Sequence, residues 1–357
     1  LHDALPISPS PSSCRVSPES TTASSVARPA HHRPGGGFRN PWPGSQPTGF
    51  GGLPRWALER LRRGPLPPPS APPTLVPSGH AHPRADDGAV RVTAVGHSTF
   101  LVQVGPLNIL TDPIWGERAS PLTFWGPRRR HPPGIPLETL PPIDVVLQSH
   151  DHYDHLDDGT VRHLARAHPD AVWCAPLGVG TRLRARGVRQ VVERDWWERA
   201  EIGDATVHCV PAAHFSGRTP FDRDTTLWCG WALRAHGRQV DFVGDTGLHP
   251  EFAAIGAHLG PLDLVLMPVG AYEPRWFMRP VHLDPAEALE AFTALSAAHP
   301  AVPTTMVAMH WGTFVLTDEP VDEPPRRTRE RWTAAALPDD RLWILSPGET
   351  RAIRSAR

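Results

Sequence analysis

Residues 145–157 read V-V-L-Q-S-H-D-H-Y-D-H-L-D, so an apolar run of strand type empties into three histidines and three aspartates within eight residues. Charge that dense beside a buried strand needs neutralising, and a pair of metal ions is the natural agent. Alternate side chains of an extended chain face the same way, so His150 and His152 point to one side and share a single cation. Asp154 and His155 follow in the turn and aim at a second cation nearby. The block is therefore an H-x-H-x-D-H half-site for two metals. Imidazole with carboxylate suits zinc, manganese or iron, whereas an all-oxygen calcium cage does not fit this much nitrogen. The plainer reading of the same residues is a solvated, histidine-rich loop.

A chain of 357 residues buries such a site without help from disulfides. Cys14, Cys174, Cys209 and Cys229 show no paired spacing and read as free thiols in a reducing compartment. Net charge is −1 and every basic residue is Arg, so overall charge gives no reason to expect a nucleic acid. There is no run of about eighteen apolar residues and no export-signal core. The expected location is cytoplasmic, with a peripheral position on the inner face of the membrane left open.

Residues 1–88 are crowded with Pro, Ser, Gly and Arg, and such a composition buries too little apolar surface to offset ordering. They read as a mostly disordered arm. Within it, 53–63 (L-P-R-W-A-L-E-R-L-R-R) sets Leu53, Trp56, Ala57 and Leu61 at helical spacing among arginines. This candidate amphipathic helix lies either on an anionic membrane surface or on its own domain. Residues 89–357 read as one folded domain. Strands are expected at 90–95, 99–104 and 107–110, then at 143–148, followed by a helix at 160–167 and a strand at 171–174. That alternation is the mark of a layered α/β domain. Further strands at 206–210, 240–243 and 305–308 end at His214, Asp245 and His310, as a metal site at one rim of a sheet requires.

Taken together, His150, His152 and His214 complete one cation's shell, and Asp154, His155 and His310 the other's, with Asp245 able to bridge. An open position on each metal activates water near neutral pH. Each distant ligand alone is an ordinary loop residue, and their force comes from their order along the chain. No G-x-S-x-G elbow and no glycine-rich phosphate loop competes for the chemistry.

In that order the residues resemble the metallo-β-lactamase fold superfamily. A redox di-iron branch of it carries Glu where His152 stands, so His152 implies hydrolysis. Within the superfamily the chain is similar to the N-acyl-phosphatidylethanolamine-hydrolysing phospholipase D family. The resemblance is carried by F-R-N-P-W-P at 38–43, T-D-P-I at 111–114, R-A-S-P at 118–121 and L-P-P-I-D at 140–144. D-W-W-E at 195–198, G-A-Y-E-P-R-W-F-M at 270–278 and H-W-G-T-F at 310–314 complete it. It implies an α/β fold, an αββα four-layer sandwich, holding two zinc ions. It also implies cleavage of a phospholipid phosphodiester to phosphatidic acid and an N-acylethanolamine. Asp154 and Asp245 then act as ligands and catalytic groups, and His282, in V-H-L-D-P, matches a substrate-pocket histidine. Small neighbours of His214 (Ala212, Ala213, Ser216 and Gly217) leave the acyl specificity open.

Other residues have two readings each. Asp112 orients a ligand or forms a simple Asp-Pro turn. His97 reaches the site or is a loop histidine, Tyr272 is expected beside the ligands or in the substrate pocket, and Trp276, Phe277 and Met278 are core or a lip for acyl chains. The rival activities are a lactonase or nuclease using the same metals, although Arg128, Arg129 and Arg130 form the only tight basic run near the motif. A membrane-surface binding protein with a structural metal is the non-enzymatic rival. The expected partner is a phospholipid or other phosphodiester; no protein partner is predicted, and a homodimer is compatible with the sequence.

Overall fold

The computed structural model describes residues 28–68 and 74–353. The first part of the expected disordered arm, 1–27, lies outside the described residues. Two seven-stranded mixed sheets face each other across an apolar core. The first is built from β1 (Val90–Gly96), β2 (Thr99–Val104), β3 (Leu107–Thr111), β4 (Val145–Leu147), β5 (Val172–Pro176) and β6 (Gln190–Arg194). The second holds β7 (Arg199–Ile202), β8 (Ala205–Val210), β9 (Gly230–Ala235), β10 (Arg238–Phe242), β11 (Leu264–Pro268), β12 (Thr305–Met309) and β13 (Leu342–Trp343). The last strand, β14 (Thr350–Ile353), returns to pair antiparallel with β1 at the edge of the first sheet.

Helices supply the outer layers. α2 (Asp158–Ala167) and α3 (Val179–Arg184) bury Val161, Leu164 and Leu183 on the first sheet. α4 (Phe252–Leu259), α6 (Pro285–Ser296) and α7 (Glu323–Ala334) pack in sequence beside the second. The arrangement is the αββα sandwich that the resemblance implies. The unbroken V-V-L of β4 is explained by it: Val145 and Leu147 enter the core between the sheets, and Val146 enters the separate core under α2. A strand with apolar neighbours on both faces shows no polar alternation.

The described part of the arm differs from its expectation. Phe38 joins the core between the sheets, and Asn40 and Ser45 are buried. A few anchoring side chains suffice to lay a Pro- and Gly-rich segment on a preformed surface, and average composition does not register them. α1 (Leu53–Arg63) takes the second of its two readings and lies on its own domain. Trp56 Nε1 donates to Asp318 Oδ2 at 2.6 Å, Arg60 Nε to Asp318 Oδ1 at 2.7 Å, and Trp276 Nε1 donates to Glu59 Oε2 at 2.7 Å. Among the described residues no helix is long and apolar enough to cross a membrane.

Candidate metal centre

β8, β10, β11 and β12 run the same way in the second sheet, so His214, Asp245 and His310 emerge at one rim. They meet there the loop that follows β4 of the first sheet. That loop is pinned from two sides. Asp112, fully buried at the end of β3, accepts from Ser149 N at 2.7 Å, Gln148 Nε2 at 3.0 Å and His155 Nδ1 at 2.6 Å. On the other side Arg218 donates to the carbonyls of Asp151 (2.9 Å) and Leu156 (2.7 Å), while its guanidinium lies 3.7 Å from the centre of the Tyr153 ring.

The first ligand set converges on one point. His150 Nε2 is 2.8 Å, and His214 Nε2 3.2 Å, from His152 Nδ1. The carbonyl of Val281 only accepts, so His214 carries its proton on Nδ1, 3.0 Å away. Ser149 Oγ donates to Asp112 and accepts from His150 Nδ1 at 2.8 Å. Both Nε2 atoms are therefore lone pairs aimed at a third ring nitrogen, whose single proton can serve one of them at full strength, whereas a cation among the three satisfies all. In the second set His310 Nε2 lies 2.9 Å, and His155 Nε2 3.1 Å, from Asp245 Oδ2. Neither contact is directed as a hydrogen bond, and both nitrogens, like Asp245 Oδ1, are buried without a partner. Buried nitrogen and carboxylate atoms gathered in this way fit a metal.

Asp154 belongs to this second set, with Oδ2 3.3 Å from His155 Nε2 and 3.5 Å from His310 Nε2. His97 joins it more closely than expected, its Nε2 3.0 Å from Asp154 Oδ2. Asp245 touches both sets, since its Oδ2 is also 3.8 Å from His214 Nε2.

Burial pushes His150 and His282 well below the ordinary histidine range, His152 down to about 4 and His214 to about 3. His310 is opposite: burial works against its charge, but Asp245 and Asp154 outweigh it and lift it to about 9. Burial would raise Asp154 and Asp245, yet the adjacent His155 holds both well below the carboxylate range. Without metal, the second set thus stores protons that a dication displaces on binding.

His152, Asp154, His214, Asp245 and His282 line a cavity of about 260 Å³. Its walls are Leu53 and Trp56 of α1, with Phe277, Met278, Val281 and Leu316. His282 is buried on this wall, with its Nδ1 unpartnered. Phe277 takes the expected position, on the short helix α5 (Arg275–Met278), where a loop was expected. Two expectations are corrected. Tyr272 points away from the cavity, donating to Glu323 Oε1 at 2.8 Å, and Trp276 is clamped between Glu59 and Arg55 of α1. Long-range polar partners turned both side chains outward.

Asn40, Arg218 and the two cavity residues of α1 were missed as contributors. Asn40 Nδ2 donates to His214 O at 2.9 Å and its Oδ1 accepts from His214 N at 3.2 Å. One signal was available: the chain has only two asparagines, Asn40 and Asn108, and both are buried.

A four-layer sandwich with histidines and aspartates gathered at one rim defines a class of metal-binding proteins. The chain belongs to the β-lactamase superfamily, whose domain model matches residues 107–311. More particularly, it is 39% identical over 269 residues to N-acyl-phosphatidylethanolamine-hydrolyzing phospholipase D 1 of Caenorhabditis elegans, covering 72% of this chain and 74% of that protein. It is 44% identical over 258 residues to an uncharacterized protein of Mycobacterium tuberculosis; that match covers 72% of this chain and spans 66% of the relative's length. Among solved structures, a metallo hydrolase of Ignicoccus hospitalis shares the fold, with a TM-score of 0.54 and 23% identity over 74% of this chain and 99% of that one.

Proposed function

We propose that the protein is a dinuclear-zinc hydrolase that cleaves the phosphodiester of N-acyl-phosphatidylethanolamine, releasing N-acylethanolamine and phosphatidic acid. One observation carries the reading: a cluster of metal-type ligands opens directly into a cavity with apolar walls. His150, His152 and His214 would hold one ion, and Asp154, His155 and His310 the other, with Asp245 in reach of both sets. Such a pair supplies an activated water near neutral pH and neutralises charge developing on the phosphoryl oxygens.

The remaining work falls to the chain. Asp112 fixes the ring of His155 through Nδ1 and, through Ser149, that of His150. His282, kept neutral by burial, stands on the cavity wall beside Asp245 and His214, where its ring meets the leaving oxygen. Arg223 gives the wall a cation opposite an anionic lipid phosphate. Leu53, Trp56, Phe277 and Leu316 exclude water and take acyl chains. None of the basic run lines the cavity, which supports a lipid over a nucleic acid. Arg129 donates to the carbonyl of Ile114 at 2.7 Å, and Arg130 lines a separate cavity.

The substrate approaches from a membrane surface on which the protein sits peripherally. Outward from the cavity, α1 leaves Leu58 45% and Leu61 80% exposed beside its arginines, and this is the face we assign to lipid contact.

Phe277→Asp tests the substrate class. A carboxylate in that wall raises KM for dispersed long-chain substrate by about 10- to 100-fold, the equivalent of one buried aromatic side chain. Hydrolysis of bis(p-nitrophenyl) phosphate, which needs no acyl wall, falls far less. Equal losses on both substrates would remove the lipid reading.

A further inference from the structure

The arm meets the domain at another group of ligand-type side chains, distinct from those of the cavity. His31 Nε2 lies 2.6 Å from Asp195 Oδ1, and His32 Nε2 lies 2.6 Å from Asp195 Oδ2. The three groups are held before anything binds. The His31 ring stacks on Trp196, with centroids 4.2 Å apart, and the amide of Trp196 donates to Asp195 Oδ1 at 2.8 Å. The His32 ring stands edge-on to His31 and to Phe38.

The charge around this carboxylate comes from histidine, as it does for Asp112, Asp154 and Asp245 beside the cavity. Asp151, Asp158, Asp224, Asp263 and Asp318 each pair with an arginine. Among the described residues Asp195 pairs with none and faces two imidazoles alone, its side chain only 14% exposed. Two imidazoles and one carboxylate on a half-buried face form the donor set of a borderline dication, with remaining positions left to solvent.

We propose that His31, His32 and Asp195 form a separate site for one divalent cation such as zinc or cobalt, which staples the arm to the domain. On binding, the proton that each imidazole now donates from Nε2 to Asp195 moves to Nδ1 or leaves to solvent, and the freed Nε2 lone pair turns to the ion. The present nitrogen–oxygen contacts then open by a few tenths of an ångström to admit bonds near 2.1 Å. The staple has a target. From His32 the chain turns back to bridge with Phe38, and Asn40 two residues on grips both backbone groups of His214. A cation here therefore steadies a ligand of the catalytic centre from outside it.

The test uses the full chain in an Asp245→Asn, His214→Ala background, so it does not depend on the catalytic reading. Zinc at about a hundredfold excess over its Kd should raise Tm by about 5–10 °C. Adding His32→Gln, or Asp195→Asn, which keeps an acceptor for one of the two rings, should abolish the rise. In the parent protein, stripped and reloaded with zinc, each of these two variants should retain one metal equivalent fewer than the unsubstituted chain. No zinc-dependent rise in the background protein, or equal metal content in the parent and both variants, overturns the site and leaves a hydrogen-bonded clamp.

Discussion

Asp245→Asn is expected to strip the cavity centre of its metal, leaving at most the one equivalent held by His31, His32 and Asp195, and to lower phosphodiester turnover by more than about a thousandfold. Loss of a residue that merely orients a ligand costs about 10- to 100-fold, and Asp245 touches both ligand sets itself. The amide is nearly the same size, so the cavity keeps its shape. It lacks the negative charge that offsets two dications, and its nitrogen presents hydrogens where a lone pair is needed. Metal content by mass spectrometry and kcat on a soluble diester measure the two losses together. A variant with full metal and full rate would remove Asp245 from the centre.

The second large effect belongs to Asp112, which touches neither cavity nor substrate. Asp112→Ala leaves His155 Nδ1, Ser149 N and Gln148 Nε2 without the acceptor they share in a fully buried site. Removing one partner of such a buried charged network costs about 3–5 kcal/mol, and the metal affinity set by His155 falls by about 10- to 100-fold. Denaturant unfolding and chelator competition read the two effects separately. Asp112→Asn keeps one acceptor for Ser149 N, so it should recover more stability than metal affinity. Unchanged affinity in both variants would make Asp112 a simple turn residue.

How much of this was legible depended on whether the information was local. H-x-H-x-D-H announced itself because strand alternation and one turn place four ligands within six residues. His214, Asp245 and His310 were legible only as residues following apolar runs, since their meeting is made by parallel strands of a sheet. β13 has two residues and β14 four, too short for any period to register. The helix α6 does carry a signal, Asp284 and Glu287 forming a capping box ahead of Ala288, Ala291, Phe292 and Leu295.

Side-chain direction in irregular segments was the least legible. His97 and Asp112 adopt positive φ (59° and 29°), which turns each into the site in a way no residue pattern encodes. Tyr272 and Trp276 are turned out of it by Glu323 and Glu59, residues 51 and 217 positions away. The arm misled for a related reason. Its composition is that of an unfolded chain, while Phe38 and Asn40 find a surface made by strands far along the sequence.

The central claim is that water attacks phosphorus at this cluster. Incubating metal-loaded protein with N-acyl-phosphatidylethanolamine in water labelled with oxygen-18, and weighing the products, tests it directly. The account predicts label in phosphatidic acid and none in the N-acylethanolamine, with both products lost in Asp245→Asn. Label in a free fatty acid, or products that persist in that variant, would contradict it.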